Sequence, residues 1–167
     1  MPSHDPTHCR ERLATLMAEE NAQLAALEGL LTHEYGMLQA RDVEGLDKSG
    51  TRRQQCIAEI LRIEDERREL CLTHGAGDAP DGLRNLLAWC DPTGLLRPAL
   101  QEYGELTGRC REQNDRNGML VNARLQSVSS MSNVLGGGAS DGRTYGPGSG
   151  SRGGPASGYG RKLTTRA

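Results

Sequence analysis

An apolar residue recurs at every seventh position between residues 9 and 40, a stretch that contains no proline. The recurring residues are Met17, Leu24, Leu31 and Leu38. A seven-residue apolar repeat places these side chains on one stripe of an α-helix. The interleaved series carries Leu13 and Leu27 but also Glu20 and Glu34, so the seam is imperfect. The pattern predicts a first helix over residues 10–41.

A second helical pattern begins directly after this one. Asp42 is a suitable N-cap, because its side chain can accept from a free backbone N–H of the first turn. Apolar residues then recur at helical spacing: Leu46, Cys56, Ile60, Ile63 and Leu70. A second helix is therefore predicted over 43–73. The short link between two helices of about 45 Å each favours an antiparallel hairpin.

Segments that contain proline, glycine and polar residues mark the non-helical parts of the rest of the chain. Residues 1–9, which are polar and contain two prolines, are expected to form a frayed start. Residues 74–81 are a loop by composition, and a short amphipathic helix is predicted over 82–90.

A long third pattern follows this short helix. Asp91 followed by proline resembles a capped helix start, so a long helix is predicted over 92–135, with Pro98 kinking or restarting it. Three glycines from Gly136 are expected to end it.

Composition separates a folding body from a tail. The chain has 22 leucines against seven valines and isoleucines, which favours helix over sheet. Residues 136–167 hold only one of the 29 Leu, Ile and Val residues, but half of the 22 glycines, and carry a net charge of +4. Such a segment cannot offset the entropy of ordering its backbone. The predicted domains are a helical body over 1–135 and a flexible Gly/Ser/Arg-rich tail over 136–167.

Cysteine usage and hydropathy indicate the compartment. Five cysteines are scattered without a CxxC spacing, which favours free thiols and a reducing environment. The longest apolar run is five residues, so no stable membrane insertion is expected, and the N-terminus lacks the pattern of a secretory signal. We expect a cytoplasmic protein.

The sequence shows no arrangement of residues that is typical of a catalytic, metal-binding or cofactor-binding site. His4, His8 and Cys9 lack the partner spacing of a metal site, and no phosphate-binding glycine motif is present. The expectation is a protein without enzymatic activity, catalytic residues, metal or cofactor. Ser151-Arg152-Gly153-Gly154 faintly resembles an RNA-binding RGG segment, so RNA binding by the tail remains an alternative, although no nucleic-acid partner is expected.

The C-terminal part of the long helix stands apart. No apolar side chain occurs over 111–118, and an amphipathic stretch then resumes to residue 135. Its spacing of i, i+3, i+4 and i+7 is typical of helix-in-groove recognition. Residues 117–135 are either a partner-binding element or part of the core.

Four segments, in order, resemble the FlgN-type flagellar export chaperones. They are Leu30 to Tyr35 with Leu38 and then Arg41 to Leu46; Ile60 to Glu64 with Arg67, Arg68 and Leu70; Asn117 to Leu125, continuing to Leu135; and Thr144 to Gly148. The similarity covers most of residues 13–148. The combination of the Asn117 helix with the Tyr-Gly-Pro tail is its more specific part. Gly45 departs from the pattern, because a better helix former is expected there.

The resemblance implies an all-α cytosolic chaperone of the flagellar type III export system. Its partners would be the C-terminal segments of the hook–filament junction proteins, FlgK and FlgL, which it keeps from associating early and delivers to the export gate. The resemblance places partner binding on Asn117, Leu120, Val121, Arg124, Leu125, Val128, Met131 and Leu135. It also implies a monomer or weak dimer. A structural coiled-coil adaptor that self-associates is the other alternative.

Overall fold

A computed structural model of the chain describes residues 5–78 and 81–136. These residues form four helices and no strand: α1 (Pro6–Ala40), α2 (Val43–Thr73), α3 (Asp81–Cys90) and α4 (Arg97–Gly136). The predicted all-α fold is confirmed. A compact body extends through Ser130, and the chain from Met131 onward forms a separate unit. The predicted tail, apart from the Gly136 that ends α4, lies outside the described residues, and the predicted domain boundary at 135/136 stays a prediction.

Helix α1 begins earlier than the sequence pattern indicated. The Asp5 carboxylate accepts from the Thr7 amide at 2.9 Å, and Pro6 occupies the first helical position. Proline is tolerated there because the first turn has no intrahelical partner for its missing N–H. Cys9 is buried against Leu13. The prediction of a frayed start through residue 9 was therefore wrong for residues 6–9.

A two-residue link joins α1 to α2. Arg41 adopts a left-handed conformation with φ 60°, and its amide donates to the Leu38 carbonyl, as is common at helix C-termini. The Asp42 carboxylate accepts from the Gly45 amide at 2.9 Å, which confirms the predicted cap. A Cβ on Gly45 would lie 2.2 Å from the Asp42 Oδ2 atom. Glycine, a poor helix former, is thus accommodated here because it leaves room for the cap.

The hairpin is antiparallel, as predicted. Arg12 of α1 pairs with Glu66 of α2 at the open end. Arg53 Nη1 lies 3.1 Å from Glu34 Oε2 nearer the turn.

The two glutamates that interrupt the apolar seam are buried and bound to α2. Glu20 pairs with Arg67, and Glu34 also accepts from the Ser49 hydroxyl at 3.0 Å. Burial raises the pKa of Glu20 above its usual value, although the Arg67 guanidinium opposes this shift. Because buried charges need partners, these pairs explain how the imperfect seam still packs.

Helix α3 closes the open end of the hairpin. Leu86 and Cys90 pack with Leu13 and Met17 of α1 and with Cys71 of α2 in one core cluster.

The expected helix start at Asp91 was wrong. The Asp91 carboxylate instead accepts from the amides of Leu95 and Leu96, at 2.9 and 2.8 Å, across a turn that contains Gly94 at φ 73°. The helix begins at Arg97, with Pro98 in its first turn, where proline needs no hydrogen-bond partner.

Helix α4 packs along α1 in the same direction. Leu106 and Cys110 form a second core cluster with Leu24 and Leu31 of α1. The Asn21 side chain donates to the Ala99 carbonyl at 3.1 Å, near the start of this contact. The body is therefore a hairpin with a third long helix along it, as predicted.

Candidate functional site

One face of α4 contacts the hairpin over several turns. Its buried and half-buried side chains recur at steps of three and four residues: Tyr103, Leu106, Cys110, Gln113, Asn117, Leu120 and Arg124. The Cys110 thiol donates to the Leu24 carbonyl at 3.4 Å. Side chains at this spacing lie on one side of a helix, so this face is defined here as the α1-facing stripe.

Asn117, the first of the predicted site residues, lies within this packing. Its side chain is 6% exposed and donates to the Leu31 carbonyl at 2.8 Å. Gln113 in turn donates to the Asn117 side-chain oxygen at 3.0 Å. The structure assigns Asn117 a contact with α1, and its part in partner binding stays a prediction.

Leu120 and Arg124 mark the end of the contact with α1. Both side chains are half-buried, and the Arg124 guanidinium donates to the Gln39 carbonyl at 3.0 Å. Helix α1 ends one residue later, at Ala40, whereas α4 continues to Gly136. Beyond Arg124 the stripe therefore has no α1 surface to pack on.

Three apolar side chains at this end of the body are exposed to solvent. Val121 is 39% exposed, and Leu125 and Val128 are each 63% exposed. They are spaced i, i+4 and i+7, so they lie on one side of α4, and Val128 continues the α1-facing stripe. We call these three residues the exposed apolar face. An unpartnered face of this spacing is suited to binding a second amphipathic helix.

The last two predicted site residues lie in the unit that begins at Met131. Met131 itself is 63% exposed. The side chain of Leu135 lies outside the described residues. The structure therefore brings together Val121, Leu125 and Val128 within the body, and the role of the last two residues stays a prediction.

Charge is distributed unevenly along α4, a feature that the predicted site did not include. The Arg116 guanidinium lies 5.8 Å from the ring centre of Tyr35 in α1. From Arg116 to Gly136 the sequence has two arginines and no carboxylate. Arg116 thus contacts α1, and it lies about 180° around α4 from Leu125 at 100° per residue. Met119 is 69% exposed and lies off the stripe.

The five cysteines are free, and four of them are buried. Burial raises the pKa of the Cys9 thiol to about 12, and it also raises the pKa of Cys71, Cys90 and Cys110. A thiol with a raised pKa is a poor nucleophile, so these side chains act as small apolar packing groups.

Neither a membrane-spanning helix nor a metal-binding cluster occurs among the residues that the structure describes. No described helix has a stretch both long and apolar enough to cross a membrane. Over the same residues, no group of three or more His, Cys, Asp or Glu side chains could hold a metal ion.

Comparison with known proteins identifies the family. A family profile described as FlgN protein matches residues 9–153, a range that includes α2, α3 and α4 and nearly all of α1. No curated protein and no solved structure matches the chain significantly. Because the profile spans most of the sequence, the match covers both the hairpin and the helix that carries the exposed apolar face. The chain therefore belongs to the FlgN family, whose members act as flagellar export chaperones.

Proposed function

We propose that this chain binds the C-terminal segments of hook–filament junction proteins of the FlgK and FlgL type. It does so in the cytoplasm, prevents their premature association and delivers them to the flagellar export gate. Family membership supports the chaperone role. The observation that supports the location of the site is the exposed apolar face, which begins beside the end of α1 and within which Val128 continues the α1-facing stripe.

The physical basis is the burial of two complementary apolar surfaces. A segment that assembles as a helix in the filament exposes an apolar face while it is still unassembled. Val121, Leu125 and Val128 can cover that face, with a gain of roughly 25 cal/mol per Å² of apolar area buried. The loss of translational freedom and the ordering of the segment offset most of this gain. Binding should therefore be reversible without an energy source.

The same mechanism requires no catalysis. The protein acts by binding alone, without cofactor or metal, as a monomer or weak dimer. On this proposal Leu120 and Arg124 hold the binding element against α1. Asn117 contributes by fixing the position of α4 on α1 through its hydrogen bond to Leu31.

The test replaces the two most exposed residues of the face. We expect Leu125→Gln with Val128→Gln, in the full chain, to weaken capture of a junction-protein C-terminal segment by at least about tenfold, because both apolar anchors are lost. Glutamine is a good helix former, so α4 should persist. Binding is measured by titration calorimetry, and helix content by circular dichroism.

A matched control replaces apolar residues of similar exposure elsewhere. Ile57 and Leu61 on α2 are 41% and 54% exposed, and Ile57→Gln with Leu61→Gln should leave binding unchanged. If the α4 variant stays folded and binds as tightly as the wild type, the site lies elsewhere and the proposal fails.

A further inference from the structure

We propose that the partner segment binds as a helix that runs along one seam of α4 and approaches the backbone of α4 most closely at Gly118. This inference rests on the proposed function, because it specifies how the segment lies on the exposed apolar face and which residue sets its distance. It is carried by the spacing of that face and by the open space beside Gly118.

The exposed apolar face belongs to a seam that starts one turn earlier, at Gly118. Gly118, Val121, Leu125 and Val128 follow one another at steps of three, four and three residues. At about 100° per residue, Gly118 lies about 20° around α4 from Leu125 and about 60° from Val121. Alternating steps of three and four are the spacing at which two helices pack side by side with a shallow crossing angle of about 20°. A helix seated on Leu125 and Val121 therefore passes over Gly118.

No contact within the body requires the missing side chain at Gly118. The residue is exposed, and a Cβ built on it would meet no atom within 4 Å apart from the adjoining backbone of α4. By contrast, a Cβ on Gly82 would lie 2.4 Å from the Gly77 carbonyl oxygen, so the fold itself requires glycine there. Glycine also weakens a helix, because its backbone has more freedom to lose on folding. The room beside Gly118 thus lies on the side of α4 that we propose for the partner.

Two other glycines of α4 are open to solvent but lie away from this seam. Gly104 and Gly108 are exposed, and a Cβ on either would also meet open space. At about 1.5 Å per residue they lie about 21 and 15 Å before Gly118 along the helix, and Gly108 lies about 140° around α4 from Val121. Its position on the seam therefore distinguishes Gly118, and Gly108 provides a matched control.

The missing side chain determines how closely the two helices can approach. Packed helices lie about 8–10 Å apart, and the distance depends on the side chains at the contact. At Gly118 the partner can place a large apolar side chain directly against the backbone of α4, whereas Leu125 keeps the two helices further apart. The seam therefore favours a segment that carries apolar residues seven positions apart, a bulky one against Gly118 and another beside Leu125.

The experiment adds a side chain at Gly118 and measures the effect on binding. A fluorescein-labelled peptide with the C-terminal sequence of a FlgK-type junction protein is titrated with the full-length protein, and its anisotropy is followed. Gly118→Leu should weaken binding by at least about tenfold, and Gly118→Ala by about two- to fivefold, because each fills the room that the partner occupies. Gly108→Leu should leave binding within about twofold of the wild type, because that side chain lies off the seam.

Thermal unfolding shows whether the variants are folded. Both leucine variants replace a poor helix former, so each should raise the midpoint of thermal unfolding by about 2–4 °C, which excludes misfolding as the cause of weaker binding. If Gly118→Leu lowers the midpoint instead, Gly118→Ala decides, because its methyl group meets open space in the body.

Repeating the titrations with the Leu125→Gln, Val128→Gln variant separates this inference from the proposed function. The added leucine side chain enlarges the apolar surface, so unchanged or tighter binding of Gly118→Leu overturns the inference. If the Leu125→Gln, Val128→Gln variant loses binding in that case, the proposed site stands without the close approach at Gly118. If the peptide binds that variant as tightly as the wild type, or does not bind the wild type, the proposed function fails and the inference falls with it.

Discussion

Helix α4 contains two segments of similar amphipathic pattern and opposite environment. Leu106 and Cys110 in the first segment are buried against α1, whereas Leu125 and Val128 in the second are exposed. The change occurs where α1 ends at Ala40 and Arg124 makes its contact with Gln39. Burial along α4 is therefore decided by the length of its neighbour, and an apolar stripe that outlasts its neighbour becomes a binding surface.

The sharpest test of this comparison replaces one leucine in each segment by alanine. Leu106→Ala should lower the free energy of unfolding by about 3 kcal/mol, because it leaves a cavity between α1 and α4. Leu125→Ala should change it by less than about 0.5 kcal/mol, because that side chain is already exposed. Urea denaturation followed by circular dichroism measures both. A comparable loss in the two variants would show that the second segment is also core.

The packed segment also rests on a buried ion pair. Arg67 binds the buried Glu20 and lies with its guanidinium 5.7 Å from the ring centre of Tyr103 in α4. Arg67→Ala should cost about 2 kcal/mol at pH 7, because it leaves the Glu20 carboxylate buried without its cation.

This cost should depend on pH in a defined direction. Burial already holds the pKa of Glu20 above its ordinary value of 4.5, and removing Arg67 raises it further. For a raised pKa, the stabilisation is present below 4.5 and is lost as pH rises through the folded-state pKa. The cost of Arg67→Ala should therefore shrink as pH falls from 7 towards 4.5.

An adjacent arginine provides the control for this prediction. Arg68 pairs with Asp78 at 2.7 Å, and both side chains are more than half exposed. Arg68→Ala should cost less than about 1 kcal/mol, with little change over the same pH range. Denaturant titrations of the two variants at pH 7 and pH 5 measure the difference. A cost of Arg67→Ala that grows on acidification would contradict the assignment.

The smallest expected effect lies at the transition between the two segments. Asn117→Ala removes the hydrogen bonds to the Leu31 carbonyl and from Gln113, and should cost about 1 kcal/mol. If Asn117 serves only the contact with α1, peptide binding to the folded variant should be unchanged. A loss of binding larger than the loss of stability would place Asn117 in direct contact with the partner.

Local sequence rules predicted most helix positions but failed at two starts. The cap at Asp42 was predicted correctly because its hydrogen bond spans only three residues. Asp91 followed by proline has the same local signature, yet the Asp91 carboxylate binds amides four and five residues ahead and closes a turn. Residues 6–9 looked frayed by composition, although tertiary packing buries Cys9 against α3 and α2.

The candidate site was predicted only in outline. The apolar spacing of residues 117–135 marked an amphipathic stretch, but spacing alone does not distinguish a side chain packed in the core from one left uncovered. Asn117 and Val121 are four residues apart on neighbouring positions of the helix, and only the first is buried. The long-range ion pairs, such as Arg67 with Glu20 and Arg109 with Glu28, were equally invisible, because their partners lie far apart in sequence.

The sequence by itself determined the helical class, the hairpin and the apolar stripe of α4, because helix formation and capping depend on neighbours within a few residues. Tertiary structure decided which part of that stripe is covered and how the glutamates of the seam, Glu20 and Glu34, are compensated. Both outcomes depend on where one helix ends against another. The end of α1 beside Arg124 separates the core of this protein from the surface that we propose for its partner.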